Sequence, residues 1–167
     1  MSYTPRCVDH VNLYVRDADR SRRWYADVLG LHVTDSLTTP EGKTRIAFLS
    51  GDPEHGHDIA LVPLGEDAPV QGKGQVGLNH VALRMDSLDD LGEAYLRLKE
   101  KGVAIDHVSD HGIAIGVYFR DPDGNGLEVY YELPRSEWGR ERPFTGGAMG
   151  RFSGPWDERV PANATAG

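Results

Sequence analysis

A single cysteine, Cys7, in a chain of 167 residues excludes an internal disulfide, and its expected role is that of a small buried hydrophobe. No apolar run approaches the roughly 18 residues a membrane span requires, so no membrane partner is expected and the chain reads as soluble. Lysine is scarce, four of the 18 basic residues, and the formal net charge is -8. That balance argues against a nucleic-acid partner, because affinity for a phosphate backbone comes largely from counterions displaced by Lys and Arg. The opening MSYTPRCVDH has no basic segment followed by an apolar one, so a cytoplasmic location is expected. The glycines of QGKGQVG lack the spacing of a phosphate-binding loop and read as a connector.

What is present is an internal repeat with a period of about 70 residues. The strand-like HVNLYV is followed by Asp17 and the helical ADRSRRWYADVLG, with Trp24, Val28 and Leu29 at helical spacing and Gly30 as the stop. HVALRM is likewise followed by Ser87 and LDDLGEAYLRLKEKG, with Leu88, Leu91, Tyr95 and Leu98 on one face and Gly102 as the stop. Three strand-like runs follow each helix: LHVTDSL, TRIAFLS and HDIALVP, then VAIDHVS, IAIGVYFR and LEVYYE. Both halves therefore read βαβββ, an α+β fold of paired modules. RDPDGNG separates the last two strands as a hairpin, with Gly124 and Gly126 free to adopt positive φ.

The expected organisation is one domain over residues 1–133, with module one at about 5–63, a linker at 64–77 and module two at about 78–133. Residues 134–167 form a Gly/Pro/Arg-rich tail whose aromatics, Trp138, Phe144, Phe152 and Trp156, are expected to dock up to about Trp156.

Side chains alternate across a strand. Val11, Leu13 and Val15 share one face of the first strand, which leaves His10, Asn12 and Tyr14 on the other. Val81, Leu83 and Met85 leave His80 opposite, and Leu127, Val129 and Tyr131 leave Glu128 opposite. A lone strand histidine is ordinarily structural, but two at equivalent places in a repeat are not easily so explained. If the modules pack by a pseudo-twofold into one curved open mixed sheet, His10, His80 and Glu128 converge on a metal ion. Two imidazoles and one carboxylate leave about three coordination positions open, an arrangement associated with non-haem Fe(II) oxygenases. Fe(II) is the expected cofactor, with Mn(II) second and Zn also left open by this donor set.

The pieces DHVNLYV, LNHVALRM and DPDGNGLEVYYE resemble the vicinal oxygen chelate superfamily, which includes glyoxalase I, fosfomycin-resistance enzymes, bleomycin-binding proteins and type I extradiol dioxygenases. The resemblance covers residues 5 to about 133 and implies the paired βαβββ fold. Three further residues resemble the extradiol pattern. His57 in HGHDIALV occupies the place of an acid/base histidine, and Tyr118 lies ten residues before Glu128 where those enzymes contact the substrate oxygens. His111 in DHGIAIGVYF takes the place of a second substrate-contacting residue, with His107 close enough to be the one instead. His32 has no motif around it and reads as surface.

The resemblance implies an Fe(II)-dependent extradiol ring-cleaving dioxygenase acting on a catechol and O2 to give a muconic semialdehyde type of product, working as a homo-oligomer. Members with one pair of modules include enzymes that cleave L-DOPA, which makes L-DOPA the candidate substrate. Two rivals stand beside this reading. A metal-dependent thiol transferase or glyoxalase on the same scaffold needs no histidine at position 57, and a drug-binding resistance protein usually lacks the metal set.

Overall fold

The computed structural model describes residues 4–72, 74–138 and 156. Phe144 and Phe152 lie outside the described residues. The chain divides into two compact units, one of Met1–Val76 with Asp121–Asn125, the other of Gly77–Arg120 with Gly126–Gly167.

In the first unit β1 (Val11–Val15), α1 (Ala18–Leu29), β2 (His32–Thr38), β3 (Thr44–Ser50) and β4 (Ile59–Pro63) follow in order. The strands form a mixed sheet ordered β1-β4-β3-β2, in which only the β1–β4 pair is parallel. That parallel pair is what a helical crossover after the first strand requires. Asp17 caps α1 by accepting from the backbone N–H groups of Asp19 and Arg20, and Gly30 ends it at φ 72°. The buried stripe of α1 is Ala18, Ser21, Tyr25 and Val28, while Trp24 and Leu29 sit half-buried at its flanks.

The turn Asp121–Asn125 belongs to this unit and locks onto the polar part of that stripe. The Tyr25 hydroxyl donates to Asp121 at 3.0 Å, and the Ser21 hydroxyl and Arg20 guanidinium donate to Asp123 at 2.9 and 2.6 Å. Asp121 also accepts from the backbone N–H of Asp123 and of Asn125. Both carboxylates are buried and both are satisfied, as buried charges must be. Burial and the facing Asp121 carboxylate push the Tyr25 phenol well above its ordinary pKa, so it remains a donor.

The second unit repeats the plan with β5 (Val81–Arg84), α2 (Leu88–Glu100), β6 (Ile105–Asp110), β7 (Ala114–Arg120) and β8 (Gly126–Glu132), and its sheet runs β5-β8-β7-β6 with β5–β8 parallel. Ser87 caps α2, and Leu91, Gly92, Tyr95 and Leu98 are its buried stripe, with Leu88 exposed in the first turn. The βαβββ module is thus present twice, each copy making a four-stranded mixed sheet covered by one helix, and among the described residues neither sheet closes on itself.

Two expectations need correction. Cys7 is exposed, because it lies in the segment before β1, where residues 4–10 pair with no strand and none is covered. Gly124 has the positive φ expected of the hairpin, 86°, but Gly126 does not. A Cβ at Gly126 would run into the Asn79 carbonyl, so close approach of backbones, not left-handed conformation, requires glycine there.

Of the tail aromatics, Trp138 donates its indole N–H to the Leu133 carbonyl at 2.7 Å, with Arg135 over its ring. Trp156 is buried against α2, its ring 5.4 Å from that of Tyr95. It fits because position 92 is glycine: a Cβ there would lie 2.7 Å from the indole nitrogen. Among the described residues no helix is long and apolar enough to cross a membrane.

Candidate functional site

Strand register in the second unit gathers the polar residues. Ala82 stands beside Glu128, Glu128 faces Tyr118, and Tyr118 faces His107, so one row crosses β5, β8, β7 and β6. His80, two residues before Ala82 on the same parity, overhangs this row. Its Nε2 lies 3.1 Å from Glu128 Oε2. The Tyr118 hydroxyl is hydrogen-bonded to His111 Nε2 at 2.9 Å, and the Glu128 carboxylate is near enough to act on it. His107 stacks flat on the Tyr118 ring, centroids 4.2 Å apart and planes within 8°, and His80 meets the same ring edge-on at 5.3 Å. His111 is therefore the histidine that bonds the phenol, and His107 the one that lies along its face.

The electrostatics of the row are set by burial. Glu128 is 7% exposed although it stands on the face opposite the apolar core set. Burial, then the hydrogen bond and charge of Glu128, push the Tyr118 phenol far above its ordinary value, which keeps it a neutral donor.

The histidine next to Glu128 is held in one tautomer. His80 Nδ1 lies 2.6 Å from Asn79 Oδ1, so Nδ1–H donates to the amide oxygen and, in the neutral ring, the Nε2 lone pair faces the carboxylate. Two acceptors at that separation need a proton or a cation between them. Adjacent ligands about 2.1 Å from one ion stand about 3 Å apart, so the donor set fits a divalent metal. The amide on the far nitrogen is the kind of outer partner that fixes a ligand's tautomer.

In the first unit His10, just before β1, has its ring 4.3 Å from that of His57, and Phe48 meets His57 edge-on at 4.9 Å. The loop leading to β4 is pinned by Asp58, which accepts from the Ser50 hydroxyl at 2.8 Å and the Gly51 N–H at 2.9 Å and contacts His55 Nδ1 at 3.0 Å. Burial drives the Asp58 carboxyl up, but these partners outweigh it and hold it below the usual value. His32 is exposed at the start of β2.

The structure thus brings His80, Glu128, Tyr118, His111 and His107 together in one unit and His10 with His57 in the other. Among the described residues no three His, Cys, Asp or Glu side chains form a metal-holding group.

Sequence reasoning missed Asn79, Phe48 and Gly116. Asn79, although it lies inside LNHVALRM, and Phe48 carry no signal of their own that marks these contacts. Gly116 could have been found: a glycine inside the run AIGVYF marks a close approach on its face, and a Cβ there would collide with the Glu128 carboxylate.

A family model described as the Glyoxalase/Bleomycin resistance protein/Dioxygenase superfamily matches residues 8–129. A biphenyl-2,3-diol 1,2-dioxygenase of Rhodococcus globerulus is 37% identical over 130 residues, covering 77% of this chain and 64% of that protein. A catechol-2,3-dioxygenase of Bacillus subtilis is 35% identical over 140 residues, covering 81% of this chain and 45% of that protein. The chain therefore spans less than two thirds of either relative. Two more distant relatives bear a metal in their names: an iron-dependent extradiol dioxygenase of Rhodococcus jostii, 28% identical over 71% of this chain and 41% of that protein, and a manganese-dependent 2,3-dihydroxybiphenyl 1,2-dioxygenase of Geobacillus, 29% identical over 75% and 39%. Among solved structures, a glyoxylase/bleomycin resistance protein/dioxygenase domain from Frankia superposes with a TM-score of 0.63 at 26% identity, covering 78% of this chain and all of that one.

Proposed function

The chain belongs to the glyoxalase/bleomycin resistance protein/dioxygenase superfamily, and from that premise we propose that it is a metal-dependent extradiol dioxygenase that opens a catechol ring with O2. The observation that carries the proposal is the pairing of His80 Nε2 with the buried Glu128 carboxylate, beside a hydrogen-bonded Tyr118–His111 pair. Relatives named as biphenyl-diol and catechol dioxygenases support the same reading.

His80 and Glu128, with His10 as third ligand, would hold the metal, and Fe(II) is the preferred ion. When bound, such an ion supplies a Lewis acid that acidifies a catechol hydroxyl and an electron relay between ring and O2. The remaining work falls to the chain's own groups. Tyr118, kept protonated by burial and by Glu128, offers a hydroxyl that can turn from the carboxylate to a substrate oxygen. His111 Nε2 holds that hydroxyl by a hydrogen bond. His107 fixes the plane of the phenol by stacking, which limits the directions in which the hydroxyl can point. His57 is the proton carrier, an imidazole whose ring lies against those of His10 and Phe48. L-DOPA is the substrate proposed.

The test is direct. Protein loaded anaerobically with Fe(II), then mixed with air and a panel of catechols including L-DOPA, is expected to give a yellow ring-opened product. No product from any catechol, with iron retained, would overturn the proposal.

A further inference from the structure

Gly116 occupies the third position of β7, on the same face as Tyr118, and its φ is not in the left-handed region. Backbone conformation therefore does not demand glycine, and an alanine would be the better strand residue. Space is what demands it. A Cβ built at Gly116 would overlap Glu128 Oε1, with Cδ at 2.9 Å and Cγ at 3.2 Å. Glu128 does not face Gly116 across the ladder; its direct partner on β7 is Tyr118, and Gly116 faces Tyr130. The carboxylate has therefore folded sideways onto the strand, with one oxygen over the Gly116 backbone and the other against His80 Nε2.

We propose that Gly116 is a positioning residue, whose missing side chain lets the Glu128 carboxylate lie flat on β7 with an oxygen turned to His80. With any side chain at 116 the carboxylate must rise off the sheet, and the oxygen that faces His80 moves with it. The consequence for metal binding rests on the function proposed above; the steric coupling between positions 116 and 128 does not.

The experiment is a cycle of Gly116→Ala, Glu128→Ala, Glu128→Asp and the two double variants, read by thermal unfolding without metal and by Mn(II) titration. Gly116→Ala is expected to lower the unfolding temperature when Glu128 is present and to leave it unchanged or raise it in the Glu128→Ala background, where the clash is gone and alanine is the better strand residue. Equal effects in both backgrounds would overturn the proposal. Should Gly116→Ala alone not fold, a folded double variant with Glu128→Ala supports it and an unfolded one overturns it.

In the metal arm Gly116→Ala is expected to weaken Mn(II) binding roughly 10- to 100-fold, the range seen when a ligand's supporting shell is disturbed. Glu128→Asp, one methylene shorter, should restore part of that affinity in the Gly116→Ala background. Unchanged affinity in Gly116→Ala overturns the positioning role. A wild-type protein that takes up no Mn(II) or Fe(II) sinks the proposed function instead, and the unfolding cycle still decides on Gly116.

Discussion

Tyr25 and Tyr95 are each the eighth residue of their helix, α1 and α2, in a duplicated plan, yet their surroundings have diverged. Tyr25 is fully buried and tied by its hydroxyl to Asp121 in a polar lock that also takes Ser21 and Arg20. Tyr95 carries the indole of Trp156 across a gap left by Gly92. The repeated histidines diverge in the same way. His10 keeps a side chain 42% exposed and is flanked by His57, whereas His80 is 32% exposed and faces a buried carboxylate. Duplication preserved the backbone path and the place of the histidine. What each position does was set by which loops and side chains came to cover it.

The two histidine neighbourhoods should show the largest effect. Replacing His57 with Phe, which keeps a ring against His10 and Phe48, is expected to leave metal content unchanged and slow the proposed ring cleavage by about 10²- to 10⁴-fold, measured by stopped-flow absorbance. Unchanged turnover would remove His57 from the proton transfer.

The helix locks come next. Trp156→Ala should cost about 3 kcal/mol, because it empties an aromatic pocket that glycine cannot refill. Tyr25→Phe should cost about 1–2 kcal/mol, since it leaves the buried Asp121 carboxylate short of one donor. Urea denaturation measures both, and a larger loss for Tyr25→Phe would reverse the assignment of the stronger lock to the apolar side.

The smallest effect concerns acid. The Thr44 hydroxyl first, with Arg22, holds the Asp19 carboxyl below its ordinary value against the opposing effect of burial, and Asp58 is held low as described. A carboxyl whose folded-state pKa is depressed stabilises above its unfolded value and loses that contribution as pH falls through the folded one. Both groups therefore contribute fully above about pH 4 and fail below it. Asp19→Asn and Asp58→Asn should each flatten the fall of stability with acid below that pH. An unchanged acid limb in both would show that these carboxyls do not set it.

The legible part of this molecule was the part governed by periodicity. The β1 alternation exposed Asn12 and Tyr14 and buried Leu13 and Val15, the Asp17 and Ser87 caps fell where an oxygen side chain precedes a helical run, and Gly30 closed α1 at positive φ. Parity also put His80, Glu128 and Tyr118 on one face, because register only has to align strands whose alternation is already known. Contacts that cross between elements were not legible. Nothing local to Tyr25 announces Asp121, 96 residues away, and the spacing rule that highlighted Trp24 could not tell which flank of α1 would be covered. Cys7 failed for a related reason, since its burial depended on a neighbour that the segment before β1 does not have.

We propose His10, His80 and Glu128 as the ligands of one ion, a proposal decided at His10, which lies in a different compact unit from the other two. Metal content per chain after Fe(II) loading, compared among the unaltered protein, His10→Ala and Glu128→Ala, tests it most directly. About one iron per chain is expected in the first and almost none in either variant. Full iron in His10→Ala alongside its loss in Glu128→Ala would contradict it, since the ion would then be held by the second module alone.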